Sequence, residues 1–146
     1  MPQYNHDMPV ITRTIQLNAK GNADILDITD DVSKIISGGG LEKGIVTIFT
    51  PSSTSGLTTI EYESGCLSDL RRLLDEILDP NRPYAHNARW GDGNGHSHVR
   101  AALIGPSLTV PFIDRRLSLG TWQQIIFIDF DNRPRRRELV VQVLGE

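Results

Sequence analysis

Residues 66–80, CLSDLRRLLDEILDP, hold the clearest helical period in the chain. Leu67, Leu70, Leu73, Leu74, Ile77 and Leu78 recur at the spacing that lays one apolar stripe along a helix, and Pro80 ends it. Such a stripe must be covered, and the segments around it are short and strand-like. ITRTIQLNA at 11–19 sets Ile11, Arg13, Ile15 and Leu17 against Thr12, Thr14 and Gln16, the two-residue period of a strand. GIVTIFT at 44–50 is a β-branched run ended by Pro51, and GLTTIEYE at 56–63 is a further strand beyond a Ser/Thr-rich turn. SLTVPFI and GTWQQIIFIDF flank DRR and read as a hairpin, and RELVVQVLG reads as the closing strand. ITDDVSKIISG at 28–38 reads as a short helix, with Thr29 or Asp30 as its cap and Gly38 as its stop. HVRAALIG at 98–105 reads as another, stopped by Gly105, and residues 81–95 as a polar loop. Five or more strands with three helices, in no strict alternation, predict an α+β fold with a mostly antiparallel sheet.

The length, 146 residues, suits one domain with a core large enough to need no staples. SGGG at 37–40 is too short to divide domains, and residues 1–9 read as a flexible N-terminus. A net charge of −3 lacks the basic footprint of a nucleic-acid binder. The only lysines are Lys20, Lys34 and Lys43, so the cations of the second half are arginines, which suit planar carboxylate and phosphate partners. Cys66 is the single cysteine, which points to a reducing compartment. No apolar run approaches a membrane span, and MPQYNHDMPV lacks the basic and apolar parts of a signal peptide. The expectation is a cytoplasmic protein.

GDGNGHSH at 91–98 is the stretch richest in chemistry. In extended backbone His96 and His98 point to the same side and can reach one ion. On a helix they diverge by roughly 200°, from about 3.6 residues per turn. Ser97 is a candidate cap for the helix that follows. His86 lies at the other end of the same loop, and Asp92 and Asn94 offer acceptors that orient imidazoles. Three protein ligands plus water is the open arrangement of a catalytic zinc site. Surface-loop histidines making ordinary hydrogen bonds are the competing reading. The stretch is not a phosphate-binding P-loop, because no Lys-Ser/Thr follows the last glycine, and Leu103 stands where an EF-hand needs its bidentate Glu. A helix N-terminus still offers free N–H groups to an anion, with Arg100 as a helper or merely a solvated cation.

Elsewhere, TPSSTSG at 50–56 groups hydroxyls that suit an oxyanion or simply a turn. Glu61 is a lone acid after an apolar strand, a general-base candidate. Cys66 has no base or cation near it in sequence, so no catalytic thiol is expected. RPRRR at 133–137 reads as a solvated turn and strand face, and Trp122 as a core or interface aromatic.

GDGNGHSHVRAALIGPSLTVPF, LGTWQQIIFIDFDNRPRRR and the terminal VQVLGE together resemble the YjbQ-like family over roughly residues 10–146. The spaced pair SLTVPF and GTWQQ makes the resemblance specific. It implies a compact single α+β domain with an antiparallel β-sandwich, a homotrimer, and a site near the subunit interface. It also implies a secondary thiamine-phosphate synthase activity, joining a pyrimidine diphosphate to a thiazole phosphate with release of pyrophosphate. Two positions depart from the family. Ser52 stands where many members have His, and DRR at 114–116 replaces the usual DGR, which makes Arg115 costly if the turn needs a positive φ. His96 is a candidate replacement for the missing turn histidine.

The combined expectation is an enzyme with a His-lined metal site beside an anion pocket. His86, His96 and His98 would hold a divalent ion, zinc or magnesium, with Asp92 and Asn94 orienting them. Glu61 and His98 would be catalytic. Ser52, Ser53, Thr54 and Arg116 would hold a small phosphorylated molecule. A metal-dependent hydrolase and a non-catalytic metal- or small-ligand-binding module are the alternatives; neither nucleic acid nor membrane is expected as a partner.

Overall fold

IIFI at 125–128 is apolar at consecutive positions, the mark of a strand covered on both faces. The computed structural model, which describes residues 8–146, places it so. Residues 1–7 of the stretch read as a flexible N-terminus lie outside the described residues. In chain order the elements are β1 (Val10–Ala19), β2 (Asp24–Asp27), α1 (Thr29–Gly38), β3 (Lys43–Phe49), β4 (Ser55–Ile60) and α2 (Ser64–Ile77). They continue with α3 (Ala85–Trp90), α4 (Gly95–Ile104), β5 (Ser107–Ile113), β6 (Arg116–Leu117), β7 (Gln124–Asp129) and β8 (Arg135–Gly145).

The strands form two antiparallel sheets in an α+β domain. One has the order β1-β8-β3-β5-β6 and the other β2-β7-β4. Between them lies the main core: Ile15, Val46, Ile48, Val110, Phe112, Leu139, Val141 and Val143 from the larger sheet meet Leu57, Ile125 and Phe127 from the smaller. Val32 and Ile36 of α1 close one end of this layer. The opposite face of the smaller sheet, with Ile25, Ile126 and Ile128, is covered by Leu74 of α2 and Ala101 of α4. β7 is therefore the middle strand of the middle layer, which accounts for its unbroken apolar run. Gly56 lets α4 lie close on β4, since a Cβ there would stand 2.8 Å from Cγ2 of Ile104.

The structure corrects three sequence expectations. SLTVPFI does not pair with GTWQQIIFIDF: β5 pairs with β3 and turns at 114–115 into the two-residue β6, while β7 belongs to the other sheet. The 81–95 stretch is not all loop, since AHNARW forms α3 and ends at Gly91 with φ 72°. Finally, α4 starts at Gly95, not at residue 98, so both His96 and His98 are helical.

The turn at 114–115, left conditional by the DRR sequence, does take positive φ. Asp114 and Arg115 have φ of 52° and 61°, the type I′ geometry of a two-residue hairpin, adopted without a glycine. Trp122, read as core or interface, is 73% exposed in this single chain.

Candidate functional site

β8 continues its inward-facing stripe past the core. Leu139, Val141 and Val143 point between the sheets, and the same two-residue parity brings Arg137 and Arg135 to the inner face at the strand's start. Across from them, Asp129 shares the parity of Ile125 and Phe127 and is fully buried. A carboxylate there requires a partner. Arg137 supplies it in bidentate form, Nε to Oδ2 at 2.7 Å and Nη2 to Oδ1 at 2.9 Å. The guanidinium then donates outward, from Nη1 to Ser52 Oγ and from Nη2 to Thr54 Oγ1, both at 2.9 Å. The 51–54 turn is held in place by its own chemistry: Thr54 N donates to Ser52 Oγ, Thr50 and Ser55 share a hydroxyl bond, and Phe130 N donates to Thr54 O.

Asp131, just past β7, is the second buried acid. It accepts from Arg135 Nε and from Asn132 N, and lies 3.7 Å from Arg137 Nη2. Burial pushes its carboxyl up, but the Asn132 N–H and the Arg135 guanidinium outweigh that and hold it below the usual carboxylate range. The amide of Asn94 is wedged between Asp131 and Asp92, and with its NH2 turned to Asp92 it donates to both carboxylate oxygens at 3.0 and 3.2 Å.

These groups line a cavity of about 330 Å³ bounded by Pro51, Ser52, Ser53, Thr54, Asn94, His98, Asp131, Arg135 and Arg137. His98 enters it from the first turn of α4, half-buried, with its ring 4.5 Å from that of His86. His86, on α3, has Nδ1 3.3 Å from Asp92 Oδ1 but out of line for a hydrogen bond.

His96 is elsewhere. Because α4 begins at Gly95, the two histidines leave the helix on different sides, and the extended geometry that would unite them is absent. His96 is 5% exposed, near Tyr84, with Nε2 3.4 Å from Ser97 Oγ and Nδ1 without a hydrogen-bond partner among the described residues. Burial, then the charge of Arg100, lowers its pKa, so the imidazole is held neutral. Ser97 is no cap: its hydroxyl donates to Phe130 O. Arg100 is not solvated and does not line the cavity; it is buried and clamps the end of α2 through Asp75 and the Leu78 carbonyl.

The expected triad His86, His96 and His98 is therefore not assembled. Among the described residues, the one group of three His, Cys, Asp or Glu ligand atoms mutually within 4.8 Å is Glu61, Glu63 and Cys66. A three-imidazole zinc or magnesium centre does not fit these residues as placed, and His96 does not stand in for a histidine at position 52.

Two further assignments move. Glu61 follows β4, whose other end adjoins Thr54, so the six-residue strand separates it from the cavity by about 20 Å at roughly 3.3 Å per residue. It receives the thiol of Cys66 at 3.7 Å; partial burial and the Glu63 and Glu61 carboxylates push that thiol up, consistent with an inert cysteine. Arg116 lies in a separate cleft of about 670 Å³ between α1 and the 114–124 segment, with Lys34 and Gln124, and its side chain has no partner among the described residues. The cations at the hydroxyl turn are Arg135 and Arg137, which sequence reasoning left in solvent. The signal was present: counted back from Leu139, both fall on the buried parity.

Fold and site together define a two-sheet α+β protein with a preformed cradle of arginine, hydroxyl and imidazole groups. A profile described as UPF0047 protein YjbQ-like matches residues 13–146, and the chain belongs to that family. A UPF0047 protein of Methanothermobacter thermautotrophicus is 39% identical over 139 residues, covering 95% of each chain. YugU of Bacillus subtilis is 31% identical over 135 residues, covering 91% of this chain and 98% of its own. Among solved structures, a protein of unknown function from Sulfolobus solfataricus superposes with a TM-score of 0.90 at 32% identity, over 95% of this chain and 99% of that one. A conserved hypothetical protein from Thermus thermophilus gives 0.75 at 33%, over 89% and 99%. No described helix is long and apolar enough to cross a membrane.

Proposed function

We propose that this protein binds and processes a small phosphorylated molecule in the cavity between the 51–54 turn and β8, with His98 as the proton-transferring group. One observation carries the reading: two arginines, a row of hydroxyls and an imidazole converge on a single concavity. Arg137 is fixed by Asp129 and in turn holds the hydroxyls of Ser52 and Thr54, so the charge and the hydroxyls are placed before any ligand arrives, the preorganisation that makes a charge-assisted site effective. The pyrophosphate-releasing condensation implied by the resemblance suits this cradle, because its leaving group is a polyanion. In this reading the arginines do the recognition, and no step depends on a divalent ion.

We infer also that copies of the chain assemble, as the homotrimer implied by the resemblance, through the outer face of the larger sheet. Val10, Ile45, Phe49 and Ile113 are exposed there, and light scattering of the wild type and of Ile45→Glu tests it.

The binding test is calorimetry with inorganic phosphate and pyrophosphate. Wild type should bind both, and Arg135→Ala should weaken binding about tenfold or more, the worth of one charged hydrogen bond. Arg116→Ala should leave it unchanged. Equal losses in the two variants, or no binding by wild type, would sink the reading.

A further inference from the structure

The cleft between α1 and the 114–124 segment encloses about 670 Å³, against about 330 Å³ for the cradle. It lies at the other end of β5. The 51–54 turn adjoins the start of that strand, where Thr50 N donates to Pro106 O, and the cleft adjoins its end at Asp114. Seven strand residues at roughly 3.3 Å each set the two sites about 20 Å apart. The cleft is lined by Asp30 and Lys34 of α1 and by Asp114 and Arg116 of the β5–β6 turn. None of these four side chains has a partner among the described residues. Asp30 and Lys34 stand one helical turn apart, a spacing at which opposite charges attract, yet they form no ion pair. Opposite charges do pair elsewhere on the surface, as in Arg72 with Asp69 and Arg115 with Glu42. Leu117 and Leu119, half-buried against the main core, give the cleft an apolar floor. Its rim is strained. Asp114 and Arg115 are both left-handed, and the turn is held by Arg115 N donating to Glu42 O at 3.0 Å and by the Arg115–Glu42 ion pair. Such a conformation in residues with side chains is a cost that tends to persist where the placement of those side chains matters.

From this balance of charges over an apolar floor we propose that the cleft is a second binding site, and that its ligand is a zwitterion: a short peptide with both ends free. The peptide carboxylate meets Lys34 and Arg116, its ammonium meets Asp30 and Asp114, and an apolar side chain lies over Leu117 and Leu119. The charge balance separates this site from the cradle. There both acids, Asp129 and Asp131, are already neutralised by arginines, whereas Asp30 and Asp114 are left to repel a phosphate. Length sets the size of the ligand. The α1 wall runs from Thr29 to Ser37, about 12 Å at about 1.5 Å per residue, and an extended tripeptide spans about 10 Å. The volume falls in the range of about 300–1,000 Å³ usual for small-molecule sites. The two sites share no lining residue, so this one stands or falls apart from the anion-binding reading.

The test is an amide-resolved NMR titration of the full chain with the tripeptide Ala-Leu-Ala. Amides of residues 29–37 and 114–124 should shift, and those of the 51–54 turn should not. Acetylating the peptide's N-terminus or amidating its C-terminus should each weaken binding to wild type about tenfold, the worth of one charged hydrogen bond. Arg116→Gln should shrink the penalty of amidation and leave that of acetylation, and Asp114→Asn should do the reverse. Both side chains are exposed, so neither change threatens the fold. Equal affinity for the free and the doubly capped peptide would overturn the proposal, and so would a titration that leaves residues 29–37 and 114–124 unmoved. Inorganic phosphate that moves those amides while the peptide does not would overturn it too, by making the cleft an anion site.

Discussion

Two pairs of arginines sit in two corners of this molecule, and they are built in opposite ways. At the start of β8, Arg135 and Arg137 lie on the inward face, each against a buried aspartate, with Arg137 donating onward to two hydroxyls. At the β5–β6 turn, Arg115 is held in left-handed backbone and paired with exposed Glu42, while Arg116 faces an open cleft with no side-chain partner among the described residues. Sequence offers little to choose between RPRRR and DRR. What distinguishes them is the carboxylate behind each guanidinium, because only a buried acid fixes the cation in one direction.

The sharpest way to break this comparison is to remove Arg137. Arg137→Ala leaves Asp129 buried and unpaired, and should cost about 3–5 kcal/mol in urea unfolding, where Arg116→Ala stays within about 0.5 kcal/mol. Replacing the pair with Asp129→Leu and Arg137→Met together should regain most of that stability without regaining phosphate binding. A double variant as unstable as Arg137→Ala would show that the pair does more than neutralise its own burial.

Acid gives the next largest effect. His96 is held below its ordinary pKa, so the unfolded chain takes up its proton first as pH falls. Stability from this group is therefore present above about pH 6.5 and is lost as pH drops toward the lower folded pKa, with a slope of at most about 1.4 kcal/mol per pH unit. Asp131, also depressed, adds a loss of the same sign at lower pH, below about 3.8. Melting curves from pH 7 to 5 should flatten in His96→Gln. An unchanged slope would place the acid sensitivity in another group.

The smallest effect is at the other corner. Arg115→Gly relieves a left-handed residue at about 1 kcal/mol but gives up an exposed ion pair worth less than that, so thermal stability should rise slightly. A fall would mean that the Glu42 contact contributes more than its exposure allows.

The sequence made some of this architecture readable and hid the rest for identifiable reasons. α2 was plain as a helix, although of its apolar stripe only Leu74 is fully buried while Leu73 and Ile77 are exposed, and β1 was plain from its two-residue period and β3 from its β-branched run. β2 has four residues and α3 has six, each too short for a period to emerge. The histidine cluster was visible as composition but not as geometry: its outcome turned on whether α4 begins at Gly95 or at His98, and helix ends are where pattern is weakest. Ser52, Ser53 and Thr54 stood out as hydroxyls, whereas their cationic partners were misassigned because RPRRR looked like a solvated face.

The shared parity of β8 also limits how this site can change. Arg135 and Arg137 belong to the same inward row as Leu139, Val141 and Val143. One residue inserted between positions 137 and 139 would turn both guanidiniums outward while the core stayed in register. The cradle therefore cannot be lengthened or shortened there as a surface loop can. Redesign of specificity has room in the 51–54 turn and along the exposed side of α4, while the arginine row is tied to the register of the core.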